Sequence, residues 1–195
     1  MKTKVLFLFA MLAILSAKGE AQESIKRFGF ELSAGPSLSS REVPSGKLEK
    51  GIGFEGIFNY NFMAHTGVYA GWGWNKFSSK LSFAGENMGF EETGYLFGLQ
   101  FKHPIDGFRS SYYLRAGGLY NHIEIENKSG VIIADSGHGL GWQLAAGFEI
   151  PITSAWSLST GVKFNSLSGD VEIEGTETDL LNNYISVRLG IMKKF

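Results

Sequence analysis

From Phe28 to the end of the chain, large apolar residues recur at every second position with small or polar residues between them. Phe28, Phe30, Leu32 and Ala34 alternate with Gly29, Glu31, Ser33 and Gly35, and near the other end Ile185, Val187, Leu189 and Ile191 alternate with Tyr184, Ser186, Arg188 and Gly190. A period of two is the signature of a β-strand, whose successive side chains point to opposite faces. The pattern predicts eight strands, at 28–36, 52–60, 68–77, 93–102, 112–121, 140–150, 156–165 and 183–195. Between them lie short turns (61–66, 103–107 and 151–155) and longer polar connections around 37–50, 85–87, 127–130 and 170–179. Three of the longer connections, around Glu86, Lys128 and Gly175, read as hairpins that prolong the strands.

The two faces differ in a way that fixes their surroundings. One face is loaded with Phe, Trp, Leu, Ile and Val. The other is mostly glycine, serine and asparagine, with charges at Glu31, Glu55, Lys102, Arg115, Glu149, Lys163 and Arg188. A soluble sandwich would hide its larger apolar set and cover the opposite face with lysine and glutamate. Lipid outside and a polar lumen inside account for both faces. The expected fold is therefore all-β: an eight-stranded antiparallel up-and-down transmembrane β-barrel, with both chain ends on the periplasmic side. A barrel of eight strands is just wide enough for side chains to fill it. The seven charges, together with Gln100 and Gln143, are thus expected to meet as a buried network that plugs the lumen, with Glu31 and Arg188 the first pair to look for. Trp72, Trp74, Tyr95, Phe101 and Trp156 lie near strand ends, where aromatic girdles meet the two interfaces. Phe77 is placed with the outer girdle on the same ground.

The ends and the composition narrow the setting. Two lysines within the first four residues, an apolar run over 5–15 and small residues over 16–21 form a secretory signal, with cleavage expected between Ala21 and Gln22. That leaves 22–195 as the barrel domain. The apolar run is too short to span a bilayer as a helix, which needs about 20 residues. Aromatics make up 14% of the chain and there are 26 glycines, both high for a soluble domain. With no cysteine, a disulfide scaffold and thiol chemistry are excluded. A formal net charge of −1 argues against a nucleic-acid partner.

The carboxyl terminus carries Arg188, Gly190 and Phe195. This polar–glycine–aromatic spacing resembles the closing signal of outer-membrane barrels that the barrel assembly machinery reads, with Lys193 where an aromatic is usual. The chain from 22 onward resembles the small outer-membrane β-barrel domain family, often labelled porin-family proteins, and is similar in plan to OmpA/OmpX-type barrels. The resemblance implies a bacterial outer-membrane location, contact with outer-membrane lipid and lipopolysaccharide, and delivery to the assembly machinery. It implies no catalytic signature and no cofactor.

Candidate chemistry is sparse. His65 and His103 fall at periplasmic turns, and His122 and His138 near an outer loop. Some eight-stranded barrels modify lipid A with a histidine and a serine, but no His-x-Ser pair stands on a strand and the hydroxyl nearest in sequence to His138 is Ser136. The histidines therefore read as exposed loop residues. Asp170, Glu172, Glu174, Glu177 and Asp179 lack the glycine-centred spacing of a calcium loop, so this run reads as a solvated hairpin tip and no metal site is assigned. The protruding hairpins offer strand edges to a protein partner. The leading expectation is a non-enzymatic, plugged barrel that is structural or binds a partner through its outer hairpins. A narrow small-solute channel and a lipid A-modifying enzyme are the alternatives.

Overall fold

A computed structural model describes residues 26–39, 42–43, 46–173 and 175–195. The signal segment assigned to residues 1–21 lies outside the described residues. The chain forms β1 (Phe28–Ser39), a small hairpin of β2 (Glu42–Val43) and β3 (Gly46–Lys47), then β4 (Gly51–Asn61), β5 (Thr66–Ser82), β6 (Gly85–Pro104), β7 (Ser111–Glu126), β8 (Ile132–Asp135), β9 (Gly139–Pro151), β10 (Trp156–Ile173) and β11 (Thr176–Lys194).

Eight of these strands close a ring. Each pairs antiparallel with its neighbours in the order β1–β4–β5–β6–β7–β9–β10–β11, and β11 returns to β1 over Gly29↔Lys194 to Ser39↔Tyr184. Closure leaves none of the eight with an unpaired edge across the lipid, where an unsatisfied backbone group would cost several kcal/mol. The short strand β8 adds to the outer end of β7. Turns of a few residues join the strands at the periplasmic end. In one, Asp106 and Gly107 reverse the chain, with Gly107 at a φ of 79° that a side chain would strain.

Crossing a bilayer takes about 9–11 residues per strand, and β5, β6, β10 and β11 run for 17, 20, 18 and 19. Their outer halves must therefore stand in water. The side chains record the change of solvent. Within the membrane zone Leu32, Phe58, Leu99, Leu144, Val162 and Leu189 face outward and exposed, while Glu31, Glu55, Gln100, Arg115, Gln143 and Lys163 are buried inside. Beyond Trp74 the two faces exchange character. Lys76, Glu91, Glu124 and Glu126 now point outward, and Phe77, Phe90, Ile123, Ile125, Leu167, Val171, Leu180 and Tyr184 pack together inside. Leu48, which follows β3, folds in among them and is 4% exposed. The molecule is an inside-out barrel in lipid continued by a right-side-out barrel in water.

Two expectations are corrected. Phe77 is 1% exposed and belongs to this outer core, not to a girdle. The strand expected to stop near Pro36 continues to Ser39, and Ser37 is buried in the lumen with its hydroxyl bonded to Asn75 and Ser186. Pro36 is tolerated because the ladder between β1 and β11 passes over Gly35 and Pro36.

Candidate functional site

The lumen is built in layers by inward positions of successive strands. At the periplasmic mouth the Glu149 carboxylate accepts from Lys102 at 3.2 Å, from Lys194 and from Ser157 at 3.1 Å. Above it, Arg115 donates to Glu31 at 2.6 Å and to Gln100 at 2.8 Å, and Ser159 completes the Glu31 carboxylate at 2.7 Å. The Arg115 guanidinium also sits 4.6 Å over the Tyr113 ring, a stack that an arginine makes better than a lysine. On the next level Lys163 pairs with Glu55, to which Ser33 also donates. Glycines open the space for the large side chains: a Cβ at Gly147 or Gly161 would meet the Tyr113 hydroxyl at 2.6 or 2.5 Å.

All seven charged positions read from the sequence thus lie in the lumen, but the pairing differs from the one expected. Glu31 takes Arg115, from the far side of the barrel, and Arg188 takes neutral partners: the Gly35 carbonyl at 2.7 Å and the Asn75 side-chain oxygen at 2.5 Å. The reason is register. Glu31 lies opposite Met192, four residues from Arg188 along β11, which is about 13 Å of strand. Sequence reasoning also missed Glu92, which is 1% exposed. Its carboxylate receives Asn121, Asn182 and Tyr184 at 2.8, 2.9 and 3.0 Å. Asn75 donates to the same Tyr184 hydroxyl, so Arg188 and Glu92 are joined through Asn75 and Tyr184. Strand parity could have found Glu92, since it stands two positions before the inward Gly94.

Directly above this chain of bonds lies the outer apolar core, where Phe77 meets Tyr184 edge-on at 5.1 Å. The polar layers therefore lie below a close-packed apolar cluster. Of the girdle positions, Trp72, Tyr95, Phe101 and Trp156 are exposed on the lipid face, and Trp74 is half-buried with its indole N–H on Glu91 at 2.9 Å. The closing strand brings Gly190 against β1, where a Cβ would lie 2.5 Å from the Leu32 carbonyl oxygen and 2.6 Å from the Ser33 Cβ. Phe195 donates its N–H to the Phe28 carbonyl, and Lys193 lies over both the Trp156 and Phe195 rings at 5.4 and 5.2 Å.

The histidines form two pairs. His65 and His103 sit at the periplasmic end with ring centroids 4.5 Å apart. On the outer extension His122 and His138 stack at 4.6 Å, and His122 Nδ1 lies 3.1 Å from Asp135. The Ser136 hydroxyl accepts from the Ile123 N–H and donates to the Gly137 carbonyl. A serine held this way is not presented to a histidine base.

A closed antiparallel ring with lipid-facing Leu, Phe and Val and a polar interior defines an integral β-barrel of the bacterial outer membrane. The chain matches the outer membrane protein beta-barrel domain family over residues 7–192 and belongs to that family. No curated protein matches it. Among solved structures it is similar to Neisserial surface protein A, at 13% identity and a TM-score of 0.63, covering 89% of this chain and all of that one. It is also similar to OprG from Pseudomonas aeruginosa, at 12% identity and a TM-score of 0.57 over 87% of this chain and 96% of that one. The attachment invasion locus protein Ail of Yersinia pestis, solved with the heparin analogue sucrose octasulfate, matches at 13% identity and a TM-score of 0.50 over 87% of this chain and 99% of that one. At such identities the likeness is one of fold.

Proposed function

We propose that this barrel is closed to solutes, has no catalytic role, and acts through its extracellular extension as a partner-binding component of the cell envelope. The observation that supports the reading is the outer apolar core of Phe77, Phe90, Ile123, Ile125, Leu167, Val171, Leu180 and Tyr184, which packs inside the barrel above three ion-paired layers. A pore would need that volume empty and wet.

The β10–β11 hairpin supports a binding role. Among the described residues its arms are hydrogen-bonded in the ladder only to each other beyond Leu167 and Tyr184, although β8 lies beside β10 and β2 beside β11. Asp170 lies opposite Asp179 and Glu172 opposite Glu177, and residues 166–183 hold no lysine or arginine. Like charges placed opposite are destabilising in a sheet, so a ladder of carboxylates on an open edge suits an extended segment bearing basic residues, added as a further strand. A polyanion such as the heparin analogue bound by Ail is disfavoured by the same charges.

Assembly follows the same reading: the closing strand presents Arg188, Gly190 and Phe195 to the barrel assembly machinery, and the lipid face meets lipopolysaccharide. Two experiments test the function. Purified protein in planar bilayers is expected to give no stable conductance, and steady single-channel steps would favour the narrow channel that the polar lumen also suggests. Cross-linked partners recovered from intact cells should be lost when 168–183 is replaced by a two-residue turn; an unchanged set overturns the binding role.

A further inference from the structure

On the outward face of the β7–β8 extension, above the lipid band, one imidazole and two carboxylates converge, with a second imidazole stacked beside them. His122 Nδ1 is 3.1 Å from Asp135 Oδ1 and 3.9 Å from Glu124 Oε1, and one donor atom from each of the three residues lies within 4.8 Å of the other two. His138 stacks on His122 with the rings 8° from parallel. It stands just after Gly137, whose φ of 62° turns the chain back over β7.

The charges around this cluster do not balance. Glu124 is directly opposite Asp135 on β8 and directly opposite Glu91 on β6, and like charges so placed repel. Lys76 answers part of the problem by bonding both Glu91 and Glu126. The only ion-pair partner of Glu124 and Asp135 among the described residues is His122. Two facing carboxylates beside two imidazoles, open to the extracellular medium, make a donor set whose charge a cation would balance.

We propose that His122, Glu124 and Asp135 bind a divalent transition-metal ion of the zinc class, with His138 as the fourth donor. Zinc bonds of about 2.0–2.2 Å to nitrogen and oxygen set neighbouring donors about 3.4 Å apart in a tetrahedron, which small side-chain rotations reach for His122, Glu124 and Asp135, whereas His138 must turn its ring out of the stack on His122 to complete the set. Imidazole donors select zinc, nickel or copper over calcium and magnesium, which take oxygen. The Asp135 carboxylate is already aimed by the Gly137 N–H at 2.8 Å, a fixed second bond of the kind that orients ligands in built metal sites. Bound metal would tie β8 and the segment after it to β7, and would neutralise the facing carboxylates.

The test is calorimetric titration of the untagged, folded barrel in detergent micelles with zinc chloride, with calcium chloride in parallel. One zinc per chain is expected, with a dissociation constant in the micromolar range and no calcium binding. His122→Ala should weaken binding by at least about 100-fold and His138→Ala by about 10-fold, since loss of even the residues that orient a metal's ligands costs about 10–100-fold. His65→Ala with His103→Ala, which removes the periplasmic pair, should leave the titration unchanged. Cobalt in place of zinc should give the visible absorption of a tetrahedral nitrogen–oxygen site, lost in His122→Ala. His138 is exposed, so its variant folds whatever His122 contributes to the hairpin. Failure to saturate below millimolar zinc, a His122→Ala titration that overlays the parent, loss of binding with the periplasmic pair instead, or equally tight calcium binding would each overturn the proposal.

Discussion

Replacing Glu31 by alanine tests the lumen directly, because it decides which arginine the carboxylate holds. Glu31 and Arg115 are both nearly inaccessible, at 2% and 6%, and bonded at 2.6 Å. Removing the carboxylate leaves a buried guanidinium without its counter-charge, which costs about 3–5 kcal/mol. Loss of the Ser159 hydrogen bond adds about 1 kcal/mol, while Gln100 and the Tyr113 ring still hold Arg115. A net destabilisation of about 3–4 kcal/mol is expected from these opposing contributions. Pairing Glu31→Leu with Arg115→Met should recover most of the loss, since buried ion pairs replaced by apolar groups of similar size are often neutral. The assay is reversible urea unfolding in detergent micelles, followed by tryptophan fluorescence and by the gel mobility of the folded barrel. A double-mutant cycle should give a coupling above about 2 kcal/mol between Glu31 and Arg115, and below about 0.5 kcal/mol between Glu31 and Arg188. A Glu31→Ala cost under about 1 kcal/mol, or a larger coupling to Arg188, would refute the layered pairing.

Further outcomes follow from the same geometry. Phe77→Ala empties the centre of the outer core and should cost about 3–5 kcal/mol, raising amide exchange at the outer ends of β5 and β6 without opening conductance, because the ion-paired layers beneath remain. Gly190→Val places a side chain against the Leu32 carbonyl and Ser33 Cβ and should weaken the β1–β11 closure by about 1–3 kcal/mol, seen as a lower temperature at which the folded gel band is lost. Deleting Phe195 should impair membrane insertion in cells more than it lowers the unfolding midpoint of refolded protein, and normal insertion counts against an assembly role. In the water-exposed extension, hydrogen bonds to Glu126 and Glu91 raise the Lys76 pKa. Burial works to raise that of Glu91, but the bonds from Lys76 and Trp74 outweigh it and hold it below the ordinary value. The lysine contribution is complete below its ordinary pKa and lost only at strongly alkaline pH. The Glu91 contribution is present above the ordinary glutamate value and lost as pH falls below it through the lowered pKa of the folded state. Amide protection at the outer ends of β5–β7 should drop on acidification, less so in high salt, which screens the partly exposed Lys76.

The alternation of residue types carried the strand count, the lipid and lumen faces, and the inward position of Glu31, Glu55, Lys102, Arg115, Glu149, Lys163 and Arg188. Those are local properties: a side chain's parity along a strand decides its face whatever the rest of the chain does. The change of solvent beyond Trp74 was written in the same alternation, where Phe77, Phe90 and Ile123 stand at lumen parity and Lys76, Glu91 and Glu124 at lipid parity. Phe77 stands near a strand end, where girdle aromatics lie, but its lumen parity puts it in the outer core.

Height and partner were not legible in this way. Parity says that Glu31 and Arg188 share the lumen, but only the β1–β11 register sets them four residues apart, and only closure of the ring brings Arg115 across to Glu31. The meeting of His122 with Asp135 and His138 likewise needed β8 to fold back on β7. Faces follow from the geometry of a single strand, whereas contacts across a barrel depend on how all eight strands are staggered, and that stagger is settled by packing and hydrogen bonding over the whole ring.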